Sequence, residues 1–378
     1  MSEHNRNTHA NGQSDFGLGA AAGFFIWPFL AAAAAGDMLA AQAGQMARLL
    51  SPPLSDEQRP PRLDWSAPNN VVLELSTMEL RDFSSARHGV PTLVCAPFSL
   101  HGASIADLAP GHSLVEALAR HGCPRIFVTD WRSATPDMRQ FTIDTYLADL
   151  NVAVDDIGAP VDLVGLCQGG WLGLVYAARF PDKVRKLVLA GAPVDTEAAE
   201  SPLSLAAHAV PLALLDEVAR LGDGRVLGQR SVDFGAATLL TGDAMATLQL
   251  QSEEYARQEI LQERFRRWSA ATVDLPGVFY HQTVQWLFKE NRLAGGRFTA
   301  LGRRIDLAEI RQPMFLLAAR DDEIVPPAQL LALRGLVGTQ DVQTMIAPGR
   351  HLSLYLGAQT LQGAWARIAL WLTQDSST

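Results

Sequence analysis

Short apolar runs alternate with amphipathic stretches along most of this chain. The apolar runs, which are rich in aliphatic residues and typical of buried strands, lie at residues 71–75, 92–96, 125–129, 161–166, 186–190, 314–318 and 342–346. Stretches with helical periodicity lie between or after them, at 113–120, 143–157, 171–178 and 361–373. This alternation predicts an α/β fold with a mostly parallel central sheet and helices on both of its faces.

The alternation lapses between residues 193 and 291, where the pattern is mainly helical and rich in aromatic residues and Arg. We therefore expect an inserted helical cap at 196–290 within one α/β core formed by 65–195 and 291–378. One interrupted domain of this size explains the pattern better than two separate domains.

Residues 1–64 precede the core and are expected to hold an apolar helix and a Pro-rich linker. No charged residue occurs from 16 to 36, but Pro28 and many Ala and Gly residues interrupt this run, which argues against a membrane span. A signal peptide also fits poorly, because acidic residues weaken the positive charge at the start of the chain. The helix is expected either to pack on the protein body or to lie on a membrane or storage-granule surface.

Composition and charge exclude several classes of function. The chain has 48% hydrophobic and 19% charged residues, a composition that predicts a packed protein. Its net charge of -9 shows no excess of basic residues, so we expect no nucleic-acid partner. Its three cysteines are too few for a disulfide framework and lack the spacing of zinc ligands. These features predict a cytoplasmic protein with no metal ion and no cofactor.

The strongest chemical motif is the run Gly165-Leu166-Cys167-Gln168-Gly169 at the end of a predicted strand. A strand that ends in Gly-x-nucleophile-x-Gly and continues into a helix is typical of a nucleophile elbow. Gly165 and Gly169 provide room in a strained turn, and the helix N-terminus favours the thiolate of Cys167. The motif predicts Cys167 as the nucleophile in acyl transfer.

A cysteine nucleophile needs a histidine base and a carboxylate that orients it, which follow the nucleophile in this order in the predicted fold. His351 is the one histidine of nine that follows a predicted strand near the C-terminus. Asp321 and Asp322 both lie after the strand at 314–318, and Asp322 is preferred because it directly precedes the turn at 323–326.

Acyl transfer also needs hydrogen-bond donors for the oxyanion of the tetrahedral intermediate. The backbone N–H of Gln168, the residue after the nucleophile, is expected to be one of them. His101 and Gly102, in the loop after the strand at 92–96, are the candidates for the second, although the same pair also suits an ordinary turn.

Several segments, in the same order, resemble the polyhydroxyalkanoate synthases and their relatives, the intracellular polyhydroxyalkanoate depolymerases. The resemblance covers roughly residues 70 to 370, and its motifs lie at 165–170, 180–185, 192–195, 291–293, 302–307, 322–327 and 351. It implies an α/β-hydrolase fold and assigns the Cys, Asp and His of the synthases to Cys167, Asp322 and His351.

Some features depart from the synthase pattern. Synthases usually carry an Asn-Arg or similar pair where this chain has His101-Gly102, and the segments at 96–99 and 128–131 are closer to the depolymerases. The double glycine at 169–170 is synthase-like. The long N-terminal domain of single-subunit synthases has no counterpart, so the expected assemblies include a partner subunit, as in the two-subunit class, or a homodimer.

The resemblance implies polymerisation of 3-hydroxyacyl-coenzyme A through an acyl-enzyme on Cys167. The alternative is hydrolysis by the same triad, as in an intracellular depolymerase, an esterase or a thioesterase. A third hypothesis is a granule- or membrane-associated binding protein without turnover, which the intact triad argues against. The expected ligands are 3-hydroxyacyl-coenzyme A or the polymer.

Overall fold

The computed structural model describes residues 59–231 and 255–374. The predicted N-terminal apolar helix and most of the predicted linker therefore lie outside the described residues, as does the part of the predicted cap at 232–254.

An eight-stranded sheet forms the centre of the described protein. Its strands are β1 (Asn70–Glu74), β2 (Met78–Asp82), β3 (Pro91–Cys95), β4 (Arg125–Trp131), β5 (Val161–Leu166), β6 (Val184–Ala190), β7 (Met314–Ala319) and β8 (Val342–Ala347). They lie in the order β1-β2-β4-β3-β5-β6-β7-β8. β2 is antiparallel to both of its neighbours, whereas all pairs from β4 to β8 are parallel. The predicted mostly parallel sheet is confirmed.

Strand β2 was not predicted from the sequence. Met78 and Leu80 are buried, but charged residues occupy three of the five positions of the strand and mask its apolar alternation. The charge of Arg81 is compensated in the sheet, because its guanidinium lies 2.7 Å from the carboxylates of both Asp130 and Glu79. Such pairing across strands cannot be read from the pattern of a single segment.

Helices connect the parallel strands. They are α1 (Leu114–Arg120), α2 (Ile143–Ile157), α3 (Gln168–Arg179), α4 (Pro202–Ala209), α5 (Leu212–Leu221), α6 (Gly228–Ser231), α7 (Tyr255–Ala270), α8 (Gly277–Gln282), α9 (Pro327–Leu331), α10 (Ser353–Leu356), α11 (Ala358–Gln362) and α12 (Ala364–Thr373). A π-helix (Thr283–Lys289) continues α8. The helix predicted at 361–373 is divided at Gly363. Within the described ranges no single helix could cross a membrane; α4 and α5, which meet at 90°, satisfy the length and composition criteria only as a pair.

Between β6 and β7 the described chain is mainly helical and contacts the loop that follows β3. Trp268 Nε1 in α7 donates a hydrogen bond to the Gly102 carbonyl at 2.9 Å. The Val273 N–H donates to the Leu100 carbonyl at 2.8 Å. We propose on these contacts that residues 196–290 form a cap over this part of the sheet, with the core at 65–195 and 291–378.

The parallel strands end in register at one edge of the sheet. Leu166 at the end of β5 pairs with Ala190 at the end of β6, and Ala319 of β7 pairs with Ala347 of β8. The loops that leave β5, β7 and β8 therefore meet at this edge. They carry the candidate nucleophile, acid and base, although Cys167 lies more than a hundred residues before Asp322 and His351 in the sequence.

Candidate active site

Cys167 forms the turn between β5 and α3 with φ 47° and ψ -113°. A non-glycine residue in this region costs on the order of 1–3 kcal/mol, so it persists only where its surroundings enforce it. Two backbone hydrogen bonds do so here. The Cys167 N–H donates to the Ala190 carbonyl at 2.9 Å, and the Cys167 carbonyl accepts from the Gly170 N–H at 2.9 Å. The turn places the thiol at the N-terminus of α3.

Three glycines allow this turn to pack tightly. A β-carbon on Gly169 would lie 2.1 Å from the Cys95 carbonyl oxygen at the end of β3. One on Gly165 would lie 2.5 Å from the Gly170 Cα, and one on Gly170 would lie 2.4 Å from the Ala192 side chain. The first turn of α3 is therefore wedged between the ends of β3 and β6, and only glycine fits at these positions.

Asp322 and His351 form a buried hydrogen-bonded pair. His351 Nδ1 lies 2.7 Å from one oxygen of the Asp322 carboxylate, and because a carboxylate only accepts, this nitrogen carries the hydrogen. The other oxygen accepts from the N–H groups of Ile324 and Val325 at 2.9 and 2.8 Å. Asp321 is exposed. The structure therefore brings Asp322, and not Asp321, to the candidate base.

His351 is also hydrogen-bonded to the thiol of Cys167. Burial favours the neutral ring, but the charges and hydrogen bonds of Asp322 and Cys167 outweigh it and raise the pKa of His351 to about 10. Burial also raises the pKa of the Cys167 thiol, an effect that His351 partly offsets. The ring is therefore a strong proton acceptor for the thiol, and the pair titrates as a unit.

The candidate oxyanion donors occupy different surroundings. The backbone N–H of Gln168, at the N-terminus of α3, lowers the pKa of the Cys167 thiol, and its role as an oxyanion donor stays a prediction. His101 and Gly102 contact the cap: the His101 ring lies 4.7 Å from the Trp268 ring, and Gly102 accepts from the indole N–H of Trp268. Burial lowers the pKa of His101 to about 4, so this ring is uncharged at neutral pH.

Tyr355, which was not singled out in the sequence, also lies at the site. Its hydroxyl donates to the Ala190 carbonyl at 3.1 Å and lies 3.5 Å from His351 Nε2. The available signal was its position four residues after His351, a spacing that brings side chains together on a helical turn. The sequence pattern did not predict a helix there, because α10 has only four residues.

Comparison with protein families and proteins of known function supports the predicted resemblance. A family model described as the α/β-hydrolase fold matches residues 100–358. Similar proteins include poly(3-hydroxyalkanoate) polymerase subunits. One from Synechocystis sp. is 29% identical and covers 71% of this chain and 74% of the subunit. One from Haloferax mediterranei is 24% identical over 82% of this chain, which spans 65% of that subunit, just under two thirds of its length.

Solved structures share the fold at low sequence identity. A monoacylglycerol lipase from Paleococcus ferrophilus has a TM-score of 0.52 and 16% identity, with 78% of this chain and 98% of the lipase covered. An enol-lactonase from Burkholderia xenovorans has a TM-score of 0.51 and 17% identity, with coverages of 78% and 96%. The predicted fold and the predicted resemblance to polyhydroxyalkanoate synthases are confirmed. The fold and the polymerase relatives together indicate an enzyme, either an acyltransferase or a hydrolase.

We predict that Gly169→Ala lowers the free energy of unfolding by roughly 3 kcal/mol, because the added methyl group collides with the end of β3. Gly335→Ala is the control, since a β-carbon there meets nothing within 4 Å, and it should change stability by less than about 0.5 kcal/mol. Urea unfolding measures both. Equal stability of the two variants would contradict the tight packing of the elbow.

We predict that Asp322→Asn lowers the turnover rate by on the order of a thousandfold or more, because an amide favours the wrong histidine tautomer. Asp321→Asn removes the same charge from the neighbouring exposed position and should leave the rate within about threefold of the unmodified protein. Steady-state rates of acyl transfer or hydrolysis measure both effects. The reverse order of the two losses would identify Asp321 as the acid.

Proposed function

The chain belongs to the α/β-hydrolase fold family, and within it we propose that this protein is a polyhydroxyalkanoate synthase-like acyltransferase. It joins 3-hydroxyacyl groups from coenzyme A thioesters into a polyester through a covalent intermediate on Cys167. The observation that carries this proposal is the buried chain of hydrogen bonds from Asp322 through His351 to a cysteine at the nucleophile elbow. The polymerase relatives support the choice of substrate.

In the proposed first step, the Cys167 sulfur attacks the thioester carbonyl carbon while His351 takes the thiol proton. The Gln168 N–H donates to the oxygen that becomes negative. The bond between this carbon and the coenzyme A sulfur then breaks, and the departing thiolate takes the proton from His351. The acyl group is left as a thioester on Cys167.

In the proposed second step, the hydroxyl of another hydroxyacyl unit attacks this thioester. His351 removes the hydroxyl proton, an ester bond forms, and the bond between the carbon and the Cys167 sulfur breaks. The proton on His351 returns to the Cys167 thiolate. Asp322 holds the ring in one orientation and stabilises its charged form throughout.

Burial of the site limits the access of bulk water to the proposed nucleophile. Cys167 and His351 are each only 1% exposed, so bulk water does not reach the sulfur in this conformation. A polymerase must protect its acyl-enzyme from hydrolysis while it admits the next unit, and an enclosed site serves this need.

The competing function is hydrolysis by the same triad, with water in place of the hydroxyl and free 3-hydroxyacid as the product. His101-Gly102 departs from the synthase pattern, and an open polar loop at this position would admit water for hydrolysis. In the structure the His101 ring is buried, uncharged and packed against Trp268. This packing removes the main argument for an open, hydrated loop.

We predict that the full chain forms insoluble polymer when it is incubated with 3-hydroxybutyryl-coenzyme A. Turbidity reports polymer, release of the coenzyme A thiol reports acyl transfer, and chromatography reports free 3-hydroxyacid. Soluble hydroxyacid without polymer would identify a hydrolase. Thiol release at the uncatalysed rate would contradict both enzymatic functions and favour a binding protein.

We predict that Cys167→Ala reduces thiol release by on the order of 10⁴-fold or more, because no covalent intermediate can form. Cys123→Ala is the matched control, since it removes another buried thiol, away from the elbow, and it should retain activity. Circular dichroism checks that both variants are folded. Activity of Cys167→Ala within about tenfold of the unmodified protein would rule out this nucleophile.

A further inference from the structure

Tyr355 is a buried polar residue to which the mechanism above assigns no role. It lies in α10, and its side chain is 1% exposed. Its ring meets that of His351 edge to face with centroids 5.5 Å apart. A tyrosine hydroxyl in such surroundings needs hydrogen-bond partners, and here all of them belong to the site.

The direction of these hydrogen bonds follows from the chemistry of the partners. The Ala190 carbonyl only accepts, so the Tyr355 hydroxyl must donate its hydrogen to it. Burial, together with negative charge on Cys167 and Asp322, raises the pKa of Tyr355 well above its ordinary value, so the hydroxyl keeps this hydrogen. A lone pair of the oxygen is left to face Nε2 of His351 at 3.5 Å.

The Tyr355 lone pair beside His351 Nε2 interacts differently with the protonated and the unprotonated ring. When Nε2 carries a proton, it can share that proton between the Cys167 sulfur and the Tyr355 oxygen. When Nε2 is bare, its own lone pair faces that of Tyr355 and the two repel. The oxygen therefore favours the charged ring and, with it, the Cys167 thiolate.

The local backbone leaves space for this arrangement. A β-carbon on Gly191 would lie 2.8 Å from the Tyr355 hydroxyl and 3.0 Å from Cε1 of His351. Gly191 has φ 55°, so the chain turns away directly after the Ala190 carbonyl. The same carbonyl binds both the Cys167 N–H and the Tyr355 hydroxyl, which connects the nucleophile turn to the base.

We propose that Tyr355 is a positioning residue that stabilises the thiolate–imidazolium form of Cys167 and His351 by accepting from the Nε2 hydrogen while it donates to Ala190. The titratable groups that face His351 in the described protein are Asp322 from the loop after β7, Cys167 from the elbow and Tyr355 from α10. The inference rests on the triad of the proposed function, but it does not depend on the acyl substrate.

Tyr355→Phe tests this role, because it removes one oxygen and keeps the ring. The Cys167 thiolate is followed by its ultraviolet absorbance during a pH titration, after subtraction of the same titration of Cys167→Ser. We expect the thiolate of Tyr355→Phe to appear at a pH about one unit higher than in the unmodified protein. Superimposable titrations would overturn the proposal.

Tyr176→Phe is the matched control. Tyr176 is a buried tyrosine in α3 whose hydroxyl lies 3.3 Å from Asn151, so its loss changes packing without touching the triad. Its titration should coincide with that of the unmodified protein. A shift in Tyr176→Phe as large as that in Tyr355→Phe would show a general effect of stability and would contradict the proposed role.

A second variant covers the case in which Tyr355→Phe does not fold. Site-specific incorporation of a fluorinated tyrosine at position 355 keeps the donation to Ala190 but makes the oxygen a poorer acceptor. It should shift the thiolate titration in the same direction by a smaller amount, and no shift would contradict the proposal.

The titration and the polymer assay fail independently of each other. Polymer formation together with an unchanged Tyr355→Phe titration would retain the proposed function and reject the role of Tyr355. A shifted titration in a protein that makes no polymer would retain the role of Tyr355 and reject the polymerase.

Discussion

The candidate site depends on the strained turn at Cys167, because every other group meets the proposed nucleophile only where this turn holds it. A φ of 47° is unfavourable for cysteine, and the strain is offset by bonds to the turn and by close packing of α3 on β3 and β6. That packing requires glycine on both sides of the nucleophile. The double glycine of the motif is therefore a steric requirement of the sheet edge, independent of which acyl acceptor the enzyme uses.

The polar groups of the site form one connected chain. Two backbone N–H groups hold Asp322, which holds His351, which in turn contacts Cys167. The Ala190 carbonyl closes the chain, since it binds both the turn and Tyr355. Buried polar groups are costly unless each has a partner, and here each partner also fixes an orientation that acyl transfer needs. Stability and reactivity thus rest on the same hydrogen bonds.

The sequence predicted the parts of this protein that are encoded locally. Apolar runs located seven of the eight strands, and the glycine motif located the turn at Cys167, because strand periodicity and turn sterics act over a few residues. Strand β2 was missed because its charged residues mask the apolar alternation, and the Asp130 partner of Arg81 lies on another strand. Tyr355 was missed because it meets the site through a hydrogen bond to a carbonyl in β6. The packing of His101 on Trp268 likewise joins segments that are distant in sequence.

In the proposed reaction, burial and His351 shift the pKa of the Cys167 thiol in opposite directions, and both shifts bear on its reactivity. A thiolate with a very low pKa attacks poorly, and one with a high pKa leaves poorly. Cys167 must do both, since it first displaces coenzyme A and is then displaced by a hydroxyl. Burial raises the pKa of the thiol, which makes the thiolate more nucleophilic but less abundant, while His351 lowers this pKa, which favours formation of the thiolate and its departure. A serine at this position would form an ester instead, and an alkoxide is a far poorer leaving group than a thiolate. Chain extension by a hydroxyl acceptor therefore gains most from sulfur in the elbow, which is where this chain differs from the serine form of the same motif.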